Sequence, residues 1–219
     1  MKTFRHLTTA LVTFSALVAG GAFAFVVALT FAVSLFRDVE ISAWNVVASQ
    51  IGPWFLLFMG VYAIHNVLPI AVAHGRTRRE FLVAASGFSV VLALVMTLAE
   101  WLGFLVEGGI YSLMDWRADE HATQLGYLLM YLVWIAVGML CAAAFDRFGA
   151  GGIFVLPVAL ALVVATRVRM PGSGNLPFLD DVPDLLGQGL YGVLAVSFVV
   201  ALAGTWAIAR DMPVRQRGA

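Results

Sequence analysis

AVAHGRTRREFLVAASGFS, residues 71–89, sets three arginines and a glutamate between two runs that are otherwise almost wholly apolar. Apolar arms joined by one short charged turn predict a helical hairpin, with its turn in water and its arms in lipid. The rest of the 219-residue chain agrees, being 62% hydrophobic and only 12% charged with a mean hydropathy of +0.94. A soluble domain is about 45–50% apolar and about a quarter charged. The net charge is +0 and the pI about 6.9, so no global field points to nucleic acid.

A bilayer core of about 30 Å takes about 20 apolar helical residues. Six segments qualify: Leu7–Phe36, Ile51–Ala73, Leu82–Val106, Leu125–Phe145, Ile153–Val168 and Leu190–Ala209. The start imitates a secretory signal, with Lys2 and Arg5, an apolar run and "AFA" at Ala22–Ala24, but the run continues to Phe36 and reads as a retained first span. None of the six runs alternates as a membrane strand would, so the expected fold is all-α. The chain reads as a single transmembrane domain over residues 1–219, without a soluble domain or an internal repeat.

Basic residues orient the spans. With the N-terminus inside, Lys2, Arg5, Arg76, Arg78, Arg79, Arg147, Arg210, Arg215 and Arg217 are cytoplasmic, leaving Arg37, Arg117, Arg167 and Arg169 outside. Both termini are then cytoplasmic in a multi-pass protein of the cell membrane. The acids Asp38, Glu40, Glu107, Asp115, Asp119, Glu120, Asp180, Asp181 and Asp184 all fall on the outer side.

Several chemistries have no motif to carry them. No G-x-x-x-x-G-K-[ST] is present, so the chain has no P-loop of its own. His6, His65, His74 and His121 are too scattered to suggest a metal site, and Cys141 stands alone. Ser86 and Ser89 lack a nucleophile context and suit helix packing. No catalytic residue is assigned.

Polar residues inside spans are costly in lipid and often functional. His65 and Asn66 lie about 10–12 Å from the inner end of the second span, with Pro69 after them to loosen the helix. They are candidates for a translocation path or a moving helix interface, or else a structural pair bonded between helices. Glu100, about 27 Å along the third span, reads as a carboxylate snorkelling to the outer interface beside Trp101, with proton coupling as the alternative role. Tyr111, Trp116 and Tyr127 read as interface anchors.

In the charged turn, Gly75 permits a sharp change of direction. Arg76 and Glu80 are spaced to pair on one face of a short helix, and Phe81 begins the third span. The segment HGRTRREF resembles the G-[ST]-[ST]-R-R-x-F segment between the second and third spans of type-2 ATP-binding-cassette (ABC) exporter permeases. FDRFGAGGIFVLPVALAL, residues 145–162, is similar to the R-[FW]-G-x-x-G turn that joins the fourth and fifth spans in that family. The resemblance implies a short coupling helix docking on a separate P-loop ATPase subunit. Gly75, Arg76, Arg78, Arg79, Glu80 and Phe81 would make the ATPase contact, and Asp146 and Arg147 a secondary one. It further implies a dimer with a second copy or a homologous permease, ATP and Mg bound only by the partner, and export of a small or amphipathic molecule; Pro171–Gln188 suits either the outer re-entrant helices of that family or an ordinary surface loop. The alternatives are a secondary transporter without an ATPase and a membrane-embedded lipid enzyme.

Overall fold

The computed structural model describes helical positions between residues 17 and 34, and residues 42–116, 122–167 and 189–212. Every regular element among them is a helix. Four stretches are long and apolar enough to cross a membrane: Trp44–Ala73, Arg78–Met114, Gln124–Ala165 and Gly189–Ala209. The expected first span lies mostly outside the described residues, and the segment 171–188 lies outside them altogether.

We label Trp44–Ala73 α1, Arg78–Met114 α2, Gln124–Phe148 α3, Leu156–Ala165 α4 and Gly189–Ala209 α5. A 3₁₀ segment, Gly149–Val155, joins α3 to α4. The third long stretch is therefore a hairpin. Gly149 has φ 59, and the Trp134 Nε1 donates to Thr166 Oγ1 at 3.0 Å. In a straight helix these two residues would stand about 48 Å apart. Gly152 allows the return, since a Cβ there would lie 2.8 Å from the Phe145 Cα.

The helix α3 is the centre of the bundle, with Tyr127, Tyr131, Val133, Ile135 and Ala136 sealed from solvent. Lipid is as apolar as a leucine side chain, so burial alone does not draw these helices together; close backbone approach and polar bonds do. The tightest backbone-to-backbone approach is between α1 and α3. A Cβ on Gly60 would lie 2.1 Å from the Ile135 carbonyl oxygen, and one on Gly138 2.1 Å from that of Leu57. On α2, Leu98, Leu102 and Leu105 are exposed on one side while Leu92, Met96 and Gly103 face the bundle, as a lipid-facing helix requires.

Helix directions follow from end-to-end contacts. Thr123 and Tyr191 share a hydrogen bond of 2.9 Å at the starts of α3 and α5. At their ends Arg147 Nη1 donates to the carbonyls of Ile208 at 2.9 Å and Ala207 at 3.3 Å. The helix α1 runs parallel to both, with Asn45 at Tyr127 and His65 at Asp146, and α2 runs against them. One end of the bundle thus gathers Arg76, Arg78, Arg79, Arg147 and Arg210. Arg167, expected outside, follows α4 and packs beside α3, its guanidinium 5.4 Å from the Trp134 ring centroid.

The helix α1 contains two π-helical turns, Val47–Ile51 and Ala63–Val67, each ending two residues before a proline, Pro53 or Pro69. Proline has no N–H to give and its ring crowds the carbonyl four residues back. The turn before each proline widens to the next hydrogen-bond register. Two compliant turns therefore flank the close crossing at Gly60.

Three expectations at the span ends are corrected. The third span does not stop at Val106, because α2 runs on to Met114. At about 55 Å it exceeds the hydrocarbon core by far. Tyr111 and Tyr127, expected as interface anchors, are buried at 6% and 0% exposure. Both are held from inside the protein, Tyr111 stacked edge-on with Trp116 at 5.4 Å and Tyr127 on α3 facing α1.

Candidate functional site: a charged turn and two polar clusters

The charged turn is built from two hydrogen-bonded caps. At the end of α1, Gly75 takes φ 78. Its N–H donates to the Val72 carbonyl at 3.0 Å and that of Arg76 to the Ala71 carbonyl at 3.1 Å, a Schellman motif. At the start of α2, Glu80 N–H donates to Thr77 Oγ1 and Thr77 N–H to Glu80 Oε2, both at 3.2 Å, a capping box. The separate short helix expected here does not form, because Thr77 caps α2 directly and the helix runs unbroken from Arg78. The expected Arg76–Glu80 pair is absent for the same reason: the Glu80 carboxylate is turned back onto the Thr77 N–H.

The arginines divide into two groups. Arg78 Nη1 donates to the Arg210 carbonyl at 3.1 Å, and Arg147 to those of Ala207 and Ile208. Both close the end of α5, where helix carbonyls lack intrahelical donors and the dipole favours a cation. Arg76, Arg79 and Glu80 stay exposed, and Phe81 packs partly into the core beside Leu82.

The first polar cluster lies near this end. His65, in the second π turn, places Nδ1 2.7 Å from Asp146 Oδ1 on α3, with side-chain exposures of 37% and 22%. A residue expected on a translocation path and one expected at an ATPase contact are thus one pair. Asn66 is half-buried beside it.

The second cluster lies toward the opposite end and is fully enclosed. Glu107 is 4% exposed and receives Trp44 N–H on Oε1 at 2.8 Å and Ser42 Oγ–H on Oε2 at 2.7 Å. Its carboxylate sits at the start of α1, where free N–H groups and the helix dipole favour an anion. Trp44 Nε1 donates to the Glu100 carbonyl at 3.0 Å, its ring lying where a Cβ on Gly103 would be. The Tyr127 hydroxyl donates to Asn45 Oδ1 at 2.7 Å.

Glu100 itself corrects the interfacial reading. It is 2% exposed and turned into the bundle, with Oε1 2.5 Å from the Tyr131 hydroxyl and Oε2 without a hydrogen-bond partner. That hydroxyl also lies 3.0 Å from the Ala48 carbonyl in the first π turn. In the π register this carbonyl would bond the N–H of residue 53, and Pro53 has none. Gly52 leaves room for the tyrosine, since a Cβ there would meet its hydroxyl at 2.8 Å.

Ser86 and Ser89 each donate to the carbonyl four residues back, Leu82 and Ala85, as packing hydroxyls do. Among the described residues no three His, Cys, Asp or Glu side chains converge as metal ligands. No family model, curated protein or solved structure matches the chain.

Proposed function

We propose that this chain is the membrane-spanning permease half of an ABC-type exporter, with six spans and both termini on the arginine-bearing side. A separate P-loop ATPase binds ATP and Mg, and a second copy or a homologous permease completes the dimer. Its cargo is a small or amphipathic molecule, and it resides in the cell membrane. The observation that carries this reading is the turn from Gly75 to Glu80. It presents Arg76, Arg79 and Glu80 outward while a Schellman motif and a capping box clamp its backbone to the helices on both sides. A displacement applied there passes to α1 and α2 together. The two proline-linked turns of α1 then let its halves move about the Gly60 crossing, as alternating exposure of a path requires.

The test is gentle extraction of the tagged full-length chain with its membrane partners and mass spectrometry of what copurifies. A stoichiometric P-loop ATPase, lost on charge reversal at Arg76 and Arg79 with the helical content intact, is the expected result. Reproducible recovery without any ATPase, at full activity in cells, overturns the reading and turns attention to a secondary transporter. Arg78 is a poor target for this purpose, since reversing it also removes a cap from α5.

A further inference from the structure

The contacts of Tyr131 pose a proton-counting problem. Three buried oxygens stand in a row: Glu100 Oε1, the Tyr131 hydroxyl 2.5 Å away, and the Ala48 carbonyl 3.0 Å beyond it. Two hydrogen bonds need two protons, and a tyrosine hydroxyl has one. If Tyr131 donates to Glu100, the Ala48 carbonyl, already deprived of a donor by Pro53, is left without a protein donor in a buried position. If Tyr131 donates to Ala48, the contact with Glu100 becomes a bond only when the carboxyl group supplies a proton of its own. A protonated Glu100 satisfies the whole row, Glu100 O–H to Tyr131 and Tyr131 O–H to Ala48.

We propose that Glu100 is a proton-binding site, and that the proton it takes up fastens the first π turn of α1 to α3 through Tyr131. Uptake forms one O–H bond on the carboxylate and redirects the tyrosine proton to Ala48. Release takes that proton off Glu100 and turns the intact Tyr131 O–H back onto the carboxylate, which frees the Ala48 carbonyl, so the turn Val47–Ile51 loosens. The fastening is present at low pH and lost as pH rises through the titration of the site. Among the described residues, the titratable groups facing Glu100 are Tyr131 and Tyr127 on α3 and Glu107 two turns along α2, while Ser42 and the first two turns of α1 contribute uncharged groups, Trp44, Asn45 and the Ala48 carbonyl among them. Glu107 has donors on both oxygens, whereas Glu100 Oε2 has none. That difference makes Glu100 the proton acceptor of the pair. The inference is independent of any ATPase partner.

Two measurements on the full chain in lipid vesicles test it. In pH-difference infrared spectra, a carboxylic-acid carbonyl band titrates in the wild type, persists in E107Q and vanishes in E100Q. It moves in frequency in Y131F, where its hydrogen-bond partner is gone. In hydrogen–deuterium exchange, corrected for the intrinsic pH dependence, the amides of residues 47–52 are protected about two- to tenfold more in the fastened state, the range of one net hydrogen bond. E100Q keeps that protection at every pH, because its amide N–H donates to Tyr131 permanently, and Y131F lacks it at every pH. A band that survives E100Q, or wild-type protection that does not change with pH, overturns the proposal. Should E100Q fail to fold, the wild-type exchange profile and the Y131F band shift decide it by themselves.

Discussion

The crossing of α1 and α3 permits a quantitative test of the packing. A Cβ at Gly60 or Gly138 would stand 2.1 Å from a backbone carbonyl oxygen of the facing helix, where ordinary contact begins near 3.4 Å. Neither obstacle is a flexible side-chain tip, so G60A or G138A must part the helices by about 1.3 Å. Overpacking of this kind costs about 1–3 kcal/mol, against a gain of about 1 kcal/mol in helix propensity. The net loss, of up to about 2 kcal/mol, corresponds to a melting temperature lower by several degrees for a chain of this length. Gly87 and Gly108 are the controls, with nothing within 4 Å of a Cβ, and G87A and G108A should be neutral or slightly stabilising. The assay is thermal unfolding of the detergent-solubilised chain followed by intrinsic tryptophan fluorescence. Equal melting temperatures for G138A and G87A would refute the claim that the two backbones touch.

Other perturbations follow from the same contacts. T77A removes the cap of α2 and should destabilise its first turn by about 0.5–2 kcal/mol, seen as faster amide exchange over residues 78–81 with the remainder of α2 unchanged. A double-mutant cycle of H65A and D146A should give a coupling of about 0.5–3 kcal/mol, measured by denaturant unfolding; zero coupling would mean that the 2.7 Å contact contributes nothing. P53A restores an N–H in α1 and should convert the turn Val47–Ile51 toward α-helical register, which a structure of the variant reads directly. R147A should free the end of α5 and raise amide exchange there, without disturbing the turn at Gly75.

How much of this was legible in sequence depends on the kind of interaction. Apolar runs locate α1, α2, α3 and α5 because lipid selects on length and hydropathy alone, and Gly75 and Gly149 mark turns because both take positive φ. The continuation of α2 past Val106 is not legible locally, since Glu107, Gly108 and Gly109 read as loop until the start of α1 is seen resting on Glu107. Depth along the helix points Glu100 to the interface, and face is the better guide. Ala85, Ser89, Leu92, Met96, Glu100, Gly103, Glu107 and Tyr111 fall on one buried stripe at spacings of three and four, opposite Leu98, Leu102 and Leu105. Read by face, both glutamates belong to the interior. The pairing of His65 with Asp146, 81 positions away, leaves no local pattern at all.

Glu100 and Glu107 occupy the same stripe of the same helix two turns apart, and their partners differ in a way that stability does not explain. Glu107 ties the start of α1, accepting a hydrogen bond on each of its two oxygens. Glu100 keeps one buried oxygen without a protein partner, where an unpaired polar atom costs about 1–3 kcal/mol. A glutamine at this position would present an N–H to Tyr131, leave Tyr131 free to donate to Ala48, and carry no risk of a buried charge. E100Q should therefore be at least as stable as the wild type in thermal unfolding at neutral pH. What the glutamine cannot do is release a proton, and that is the property by which the carboxyl group at this position differs from its neutral mimic.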